Sequence, residues 1–286
     1  MGSKLSFEVF PTKTQAGYQN LQKTLHVLQT LDPAFVSVTC SNVTNSAEAF
    51  SIQVTDYLWH ELKIPTIPHL AARYLNEQAV DAILDDIEGL GIQQVLALRG
   101  DEIDHRPSQG VFQYASELVA YIKMKKPHFE IYGACYPETH PESIDRVADI
   151  KQLKAKTEAG CSTLVTQLFF DNDLFYSFQE ACALADIEAT LLAGIMPIVN
   201  RQQVTRLLQT TRTHLPRKFL AILEKYEHDP AALREAGIAY AIDQIVDLST
   251  NNVDGIHLYT LNHAEAAKQI YTNTRSLLSP SVESKE

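Results

Sequence analysis

The sequence predicts an α/β protein, a (β/α)8 TIM barrel with extra helices between strands 7 and 8, on three observations. Short β-rich runs and amphipathic stretches alternate along the whole chain. Several of the runs are almost continuously apolar, the pattern of parallel strands covered on the outside by helices. The length, 286 residues, suits eight strand–helix units. A doubly wound open sheet competes, but it usually carries a glycine-rich first turn. Here the first strand is followed by Pro11-Thr12-Lys13-Thr14, and the next glycine is Gly17.

The strands are expected at Leu5–Phe10, Phe35–Cys40, Thr66–Ala71, Gln94–Arg99, Glu130–Tyr136, Thr163–Phe170, Thr190–Met196 and Gly255–Leu261. Between the third and fourth, Val80, Ile83, Leu84, Ile87 and Leu90 fall on one helical face, and Gly89 and Gly91 end that helix. The gap before the last strand is too long for one helix. Asn200–Thr213, Arg217–Glu227 and Ala231–Leu248 each read as helical there, which adds two helices. Residues 1–278 are expected to form one domain. The polar stretch Ser279–Glu286 is expected to be a disordered tail.

Composition narrows the function. Apolar residues make up 45% and charged residues 21%, ordinary for a globular chain. No apolar run approaches the roughly 20 residues that span a bilayer, and no basic-then-apolar leader opens the sequence. A net charge of −11 disfavours nucleic acid as a partner. Cys40, Cys135, Cys161 and Cys182 are scattered without zinc-site spacing, as suits reduced thiols in the cytoplasm. The start Met1-Gly2-Ser3-Lys4-Leu5-Ser6 matches the loose myristoylation pattern, but Ser6 already belongs to the first strand.

Catalytic groups of such barrels gather at the carboxyl ends of the strands. Those ends carry Glu8, Thr39, His69, Arg99-Gly100-Asp101, Tyr136 through His140, Gln167, Gly194 through Pro197, and Tyr259 through His263. Glu8 lies inside an apolar strand, where a carboxylate costs several kcal/mol unless it is paired or protonated. It reads as a general acid of raised pKa or as one half of an ion pair with an arginine such as Arg99. Arg99-Gly100-Asp101 reads as a ligand loop or as a turn with a surface pair. His69 reads as a hydrogen-bonded core residue or as a ligand contact. Two prolines stiffen Tyr136-Pro137-Glu138-Thr139-His140-Pro141-Glu142, either to shape a ligand or to cap a helix. A zincin motif fails at Ile64, and no Walker, dinucleotide-fingerprint or nucleophile-elbow sequence is present.

Eight segments, in order over nearly the whole chain, resemble the methylenetetrahydrofolate reductase family of flavin-containing barrels. They are Ser6-Phe7-Glu8-Val9-Phe10-Pro11, Phe35-Val36-Ser37-Val38-Thr39, Pro68-His69-Leu70, Leu98-Arg99-Gly100-Asp101, and the Tyr136–Glu142 loop. Thr166-Gln167-Leu168-Phe169-Phe170-Asp171, Gly194-Ile195-Met196-Pro197-Ile198 and Tyr259-Thr260-Leu261-Asn262 complete the set. The resemblance implies reduction of 5,10-methylenetetrahydrofolate to 5-methyltetrahydrofolate by FAD, with NADH or NADPH as electron donor. It implies Glu8 and Asp101 as catalytic residues, and Asp101, Gln167 and Gln203 as folate contacts. FAD contacts would be Thr39, His69, Arg99, Gly100, Asp101, Tyr114, Ala115, Tyr136, His140, Asp149 and Lys156. It also implies a homo-oligomer.

Departures from the family pattern fall at Cys40 and Ser41, at Glu102 and Ile103, and at Gln152. Leu207 stands where a nicotinamide-stacking phenylalanine would fall. His263 stands where an arginine often binds the folate glutamate. Two other readings remain: a diverged flavoprotein using another donor or one-carbon carrier, and a non-catalytic folate- or flavin-binding barrel.

Overall fold

Eight parallel strands hydrogen-bond in sequence order and close on themselves in this computed structural model. The structure describes residues 4–40, 45–102, 110–210 and 213–278. Met1–Ser3, Ser41, Ile103 and the tail Ser279–Glu286, on which expectations were placed, lie outside the described residues.

The strands are β1 (Leu5–Val9), β2 (Val36–Val38), β3 (Thr66–Ala71), β4 (Gln94–Leu98), β5 (Glu130–Cys135), β6 (Cys161–Thr166), β7 (Thr190–Ile195) and β8 (Gly255–Tyr259). β1 pairs with both β2 and β8, so Glu8 stands opposite Ser37 on one side and Tyr259 on the other. Strand alternation then decides the environment of each residue. Leu5, Phe7 and Val9 pack outward into the main core beneath the helices. Ser6 and Glu8 take the opposite, inner face. Ile67, Leu96, Val165 and Leu192 form a separate apolar cluster with Phe35.

Seven of the eight strands end one to four residues before the expected boundary; β3 alone matches it. Two of the early ends, those of β4 and β8, have a physical cause at the mouth. Gly100 adopts φ +90°, and Leu261 and Asn262 adopt φ +47° and +61°. A left-handed residue cannot continue a ladder, so the chain turns into loops there. β6 also starts two residues early, with Cys161 opposite Ile131 across a register shift.

The helices form where capping and periodicity agree. α1 (Gln15–Gln29) begins at Thr14, whose side chain accepts the Gly17 N–H, and buries Tyr18, Leu21, Leu25 and Leu28. After α2 (Asn45–Asp56) and a π-helical turn at Tyr57–Glu61 comes α3 (Glu77–Gly89). Asn76 caps α3, which buries Val80, Leu84 and Ile87 of the expected face. α4 (Ala115–Lys125), α5 (Arg146–Glu158) and α6 (Asn172–Leu184) follow β4, β5 and β6. Between β7 and β8 lie α7 (Arg201–Thr210), α8 (Arg217–Lys225) and α9 (Pro230–Thr250), and α10 (Ala264–Leu278) closes the described chain. Asn200, expected inside α7, instead caps it by accepting the Gln203 N–H at 2.9 Å. The insertion is anchored to the mouth by its own apolar cluster. Phe170 after β6 stacks on Phe219 of α8 at 4.3 Å, and the Tyr240 hydroxyl of α9 donates to the Phe170 carbonyl.

All four cysteines are free thiols, three of them buried and Cys40 half-buried. Among the described residues no helix is long and apolar enough to cross a membrane.

Candidate active site

A cavity of about 1160 Å³ opens at the carboxyl ends of the strands. It brings together the catalytic, cofactor and folate residues that the family resemblance implies, and His263 with them: Glu8, Thr39, His69, Arg99, Gly100, Asp101, Tyr114, Ala115, Tyr136, His140, Asp149, Lys156, Gln167, Gln203 and His263. Cys40, Gln152 and Leu207 line it as well.

Glu8 sits at the inner end of the cavity, only 8% exposed. Burial pushes its carboxyl up to about 8. The nearest basic group is His69 Nε2, 3.8 Å from Glu8 Oε2. Burial lowers that imidazole to about 4. At neutral pH the contact is therefore a protonated acid beside a neutral imidazole, too long for a hydrogen bond. His69 Nε2 is buried without any hydrogen-bond partner. The hydrogen-bonded-core reading of His69 therefore does not hold at Nε2. The Arg99 ion pair weighed for Glu8 is also overturned. Arg99 instead grips Glu142 with two bonds of 2.7 Å. The cause is topological: Arg99 stands past the end of β4, where its fork reaches the loop after β5 rather than across the barrel.

A polar layer that sequence reasoning missed lies beneath Glu8. His257 Nδ1 is 2.8 Å from the Ser6 hydroxyl and Nε2 is 3.2 Å from the Ser37 hydroxyl. The ring stacks on Phe35, and burial followed by the nearby His69 lowers it to about 3. The only sequence signal was its place two residues before Tyr259, on the same face of β8. Tyr259 reaches over Gly194 of β7 to donate to the Thr166 carbonyl of β6 at 2.6 Å. A side chain at Gly194 would stand 2.2 Å from that carbonyl and 2.7 Å from the Tyr259 ring. The glycine is what lets the phenol cross.

The rim is tied together by side chains. His140 packs edge-on against Tyr136 at 4.5 Å, and its backbone N–H donates to Asp149 at 3.0 Å. His140 Nδ1 accepts the Glu142 N–H, so the neutral ring carries its proton on Nε2. Burial, then Arg99, lowers this imidazole. Asp101 is exposed at the rim, and neighbouring Glu102 pairs with Arg73 at 3.3 Å. Tyr114 and Ala115 stand at the start of α4. The Thr39 N–H donates to the Val9 carbonyl, and its own carbonyl accepts from Ser51.

Lys156 is engaged with the Ala134 carbonyl at 2.5 Å, and burial lowers its ammonium. Gln167 accepts the Leu168 N–H, while Gln203 accepts the N–H groups of Val199 and Asn200. Leu207 is buried in the insertion's apolar cluster. Asn262 clamps Phe10 through both its N–H and its carbonyl at 2.9 Å, joining the loops after β8 and β1. His263 is exposed next to it, its N–H bonded to the Thr260 carbonyl. Among the described residues no cluster of His, Cys, Asp or Glu could hold a metal ion.

A closed parallel barrel with a large cavity at its strand ends defines the class: a ligand-binding TIM barrel. Within that class the chain belongs to the methylenetetrahydrofolate reductase family. A family model of that description matches residues 2–275. The chain is 32% identical to the 5,10-methylenetetrahydrofolate reductase of Salmonella typhimurium, over 93% of this chain and 88% of that protein. It is also 32% identical to methylenetetrahydrofolate reductase (NADH) 1 of Arabidopsis thaliana, over 94% of this chain. The chain spans about half the length of that plant relative, 48%. An uncharacterized protein from Clostridium thermocellum, solved with two copies of 5-methyl-5,6,7,8-tetrahydrofolic acid, aligns with a TM-score of 0.67. That alignment covers 95% of this chain and 96% of the other at 13% identity, a likeness of fold.

Proposed function

We propose that the protein reduces 5,10-methylenetetrahydrofolate to 5-methyltetrahydrofolate, with FAD as cofactor and NADH or NADPH as electron donor. One observation carries the reading: a buried carboxyl at the inner end of a large cavity, pushed up to about 8 by burial, in a member of this family. Such a group is a proton donor at neutral pH.

The residues present fit a flavin dinucleotide. The cavity has room, His69 Nε2 is a buried polar atom lacking a partner, and Gly100 lets the backbone approach a planar ring. Thr39, His69, Arg99, Gly100, Asp101, Tyr114, Ala115, Tyr136, His140, Asp149 and Lys156 would hold it. Bound there, the flavin supplies the hydride chemistry.

The chain supplies the proton and the field. Glu8 holds a proton at its carboxyl and gives it to the folate as the five-membered ring opens to a 5-iminium cation. The carboxylate of Asp101 favours that cation electrostatically and bonds the pterin. Gln167 and Gln203 orient the folate, and Gln167 also contacts the nicotinamide, which takes its turn in the same space. The apolar Leu207 lines the nicotinamide side, and His263 stands at the folate glutamate. Self-association of the chain belongs to the same proposal.

The test is a purified preparation reconstituted with FAD. NADH should bleach the flavin absorbance without folate, and methylenetetrahydrofolate should restore it. A preparation that stays colourless in excess FAD would favour a binding barrel. A yellow one that ignores both nicotinamides would point to another donor.

A further inference from the structure

Glu8 has two partners across the ladder, Ser37 on β2 and Tyr259 on β8, and both carry hydroxyls. A hydroxyl that donates to a buried carboxylate stabilises its charge and lowers its pKa. Neither hydroxyl does so here. That of Tyr259 donates to the Thr166 carbonyl at 2.6 Å, and that of Ser37 lies 3.2 Å from His257 Nε2. Among the described residues no side chain donates a hydrogen bond to the Glu8 carboxyl, and burial alone raises its pKa.

The direction of the Ser37 bond follows from Ser6. The Ser6 hydroxyl touches both the Ile256 carbonyl at 3.2 Å and His257 Nδ1 at 2.8 Å. A hydroxyl has one proton to give, and a carbonyl can only accept. The proton therefore points at Ile256, and Nδ1 carries a hydrogen that Ser6 accepts. His257 is fully buried, and burial followed by the nearby His69 keeps its ring neutral. A neutral ring has one such hydrogen, so Nε2 accepts and the Ser37 hydroxyl is its donor. Phe35 stacked on the ring and Tyr259 edge-on to it, both at 5.5 Å, fix its plane.

We propose that His257 is a positioning residue: by binding the Ser37 hydroxyl it keeps that donor off Glu8, whose carboxyl stays a proton donor. The inference rests on the role of Glu8 in the folate reduction proposed above and adds the residue that sustains it. The other titratable groups facing Glu8 are His69 on β3 and Tyr259 on β8. Burial lowers His69 to about 4, and burial followed by Glu8 raises Tyr259 well above its ordinary range. Neither changes charge between pH 6.5 and 8, so a response in that window reports on Glu8.

Three variants test this: Ser37→Ala, His257→Phe and His257→Phe/Ser37→Ala. One readout is the pH profile of folate-driven flavin reoxidation. The other, which needs no flavin, is the pH dependence of urea unfolding, each protein being compared with its own Glu8→Gln counterpart. In His257→Phe the freed Ser37 hydroxyl should turn to Glu8. One such bond should lower the midpoint of the profile from about 8 by about one unit. Between pH 6.5 and 8 the stability gap should lose about half of its pH dependence. Removing that hydroxyl as well, in the double variant, should restore both. Ser37→Ala alone should leave both as in the wild type.

A midpoint that stays lowered in the double variant, or does not move in His257→Phe, overturns the proposal. A midpoint or a stability gap that rises in Ser37→Ala would show that this hydroxyl already bonds Glu8. That result overturns the proposal even if neither His257 variant folds. If the wild type itself reduces no folate, the proposed function falls, and unfolding alone still decides whether His257 holds the donor away from Glu8.

Discussion

Replacing Glu8 by glutamine should make the protein more stable while removing the folate half of its reaction. The carboxyl is buried, and its pKa rises from 4.5 to about 8 on folding. Because the folded pKa is the higher one, the folded state holds a proton that the unfolded chain releases above pH 4.5. Stability is then fully present below that pH and falls by about 1.4 kcal/mol per unit until the folded group ionises near pH 8.

Two neighbours act in the opposite sense at lower pH. Burial lowers His69 to about 4 and His257 to about 3 from 6.5, so each removes stability as pH falls below 6.5. Above pH 6.5 both rings are neutral in either state, and of the three groups Glu8 alone titrates. Glu8→Gln keeps the shape and cannot ionise. At pH 7 it should be more stable than the wild type by about 3 kcal/mol, a gap that widens by about 2 kcal/mol between pH 6.5 and 8.

Urea unfolding of both proteins across that range measures it. In stopped flow the variant should still accept electrons from NADH, while folate no longer reoxidises the flavin. Wild-type reoxidation should fall about tenfold per pH unit above about 8. A stability gap independent of pH would refute the raised pKa. Equal loss of both half-reactions would make Glu8 a structural residue.

Two further changes probe the rim and the crossing. His263→Arg adds a charged fork at the place assigned to the folate glutamate, and it should tighten folate binding by about 1 kcal/mol while sparing the NADH half-reaction. The folate dependence of flavin reoxidation reads this directly, and an unmoved dependence would displace His263 from the folate tail. Gly194→Ala drives a methyl group into the Thr166 carbonyl and the Tyr259 ring, so it should cost about 1–3 kcal/mol and displace the phenol from the Thr166 carbonyl. Thermal unfolding checks the first effect, and a wild-type melting temperature would show that the backbone relaxes there at no cost.

The sequence by itself determined the barrel and the membership of its mouth. Strand and helix periods are local signals, and strand alternation alone puts Glu8 inward and Phe7 outward. Because a (β/α)8 barrel sends every strand's carboxyl end to the same face, reading those ends collected Glu8, Thr39, His69, Arg99, Gly100, Asp101, Tyr136, His140, Gln167 and His263. Tyr114, Ala115, Asp149, Lys156 and Gln203 came from the family resemblance alone. Only the tertiary structure decided who pairs with whom. Arg99 and Glu142 are 43 residues apart, and their bond replaces the expected one to Glu8. His257 finds Ser6 only because β8 closes onto β1, 251 residues away. Tyr259 reaches Thr166 only across a glycine on the strand between them. The chain turns left-handed at Gly100 after β4 and at Leu261 and Asn262 after β8, which no strand period foretells. Pairings of this kind depend on distances in space that no local period encodes, and so does the burial that fixes the protonation of Glu8 and His69.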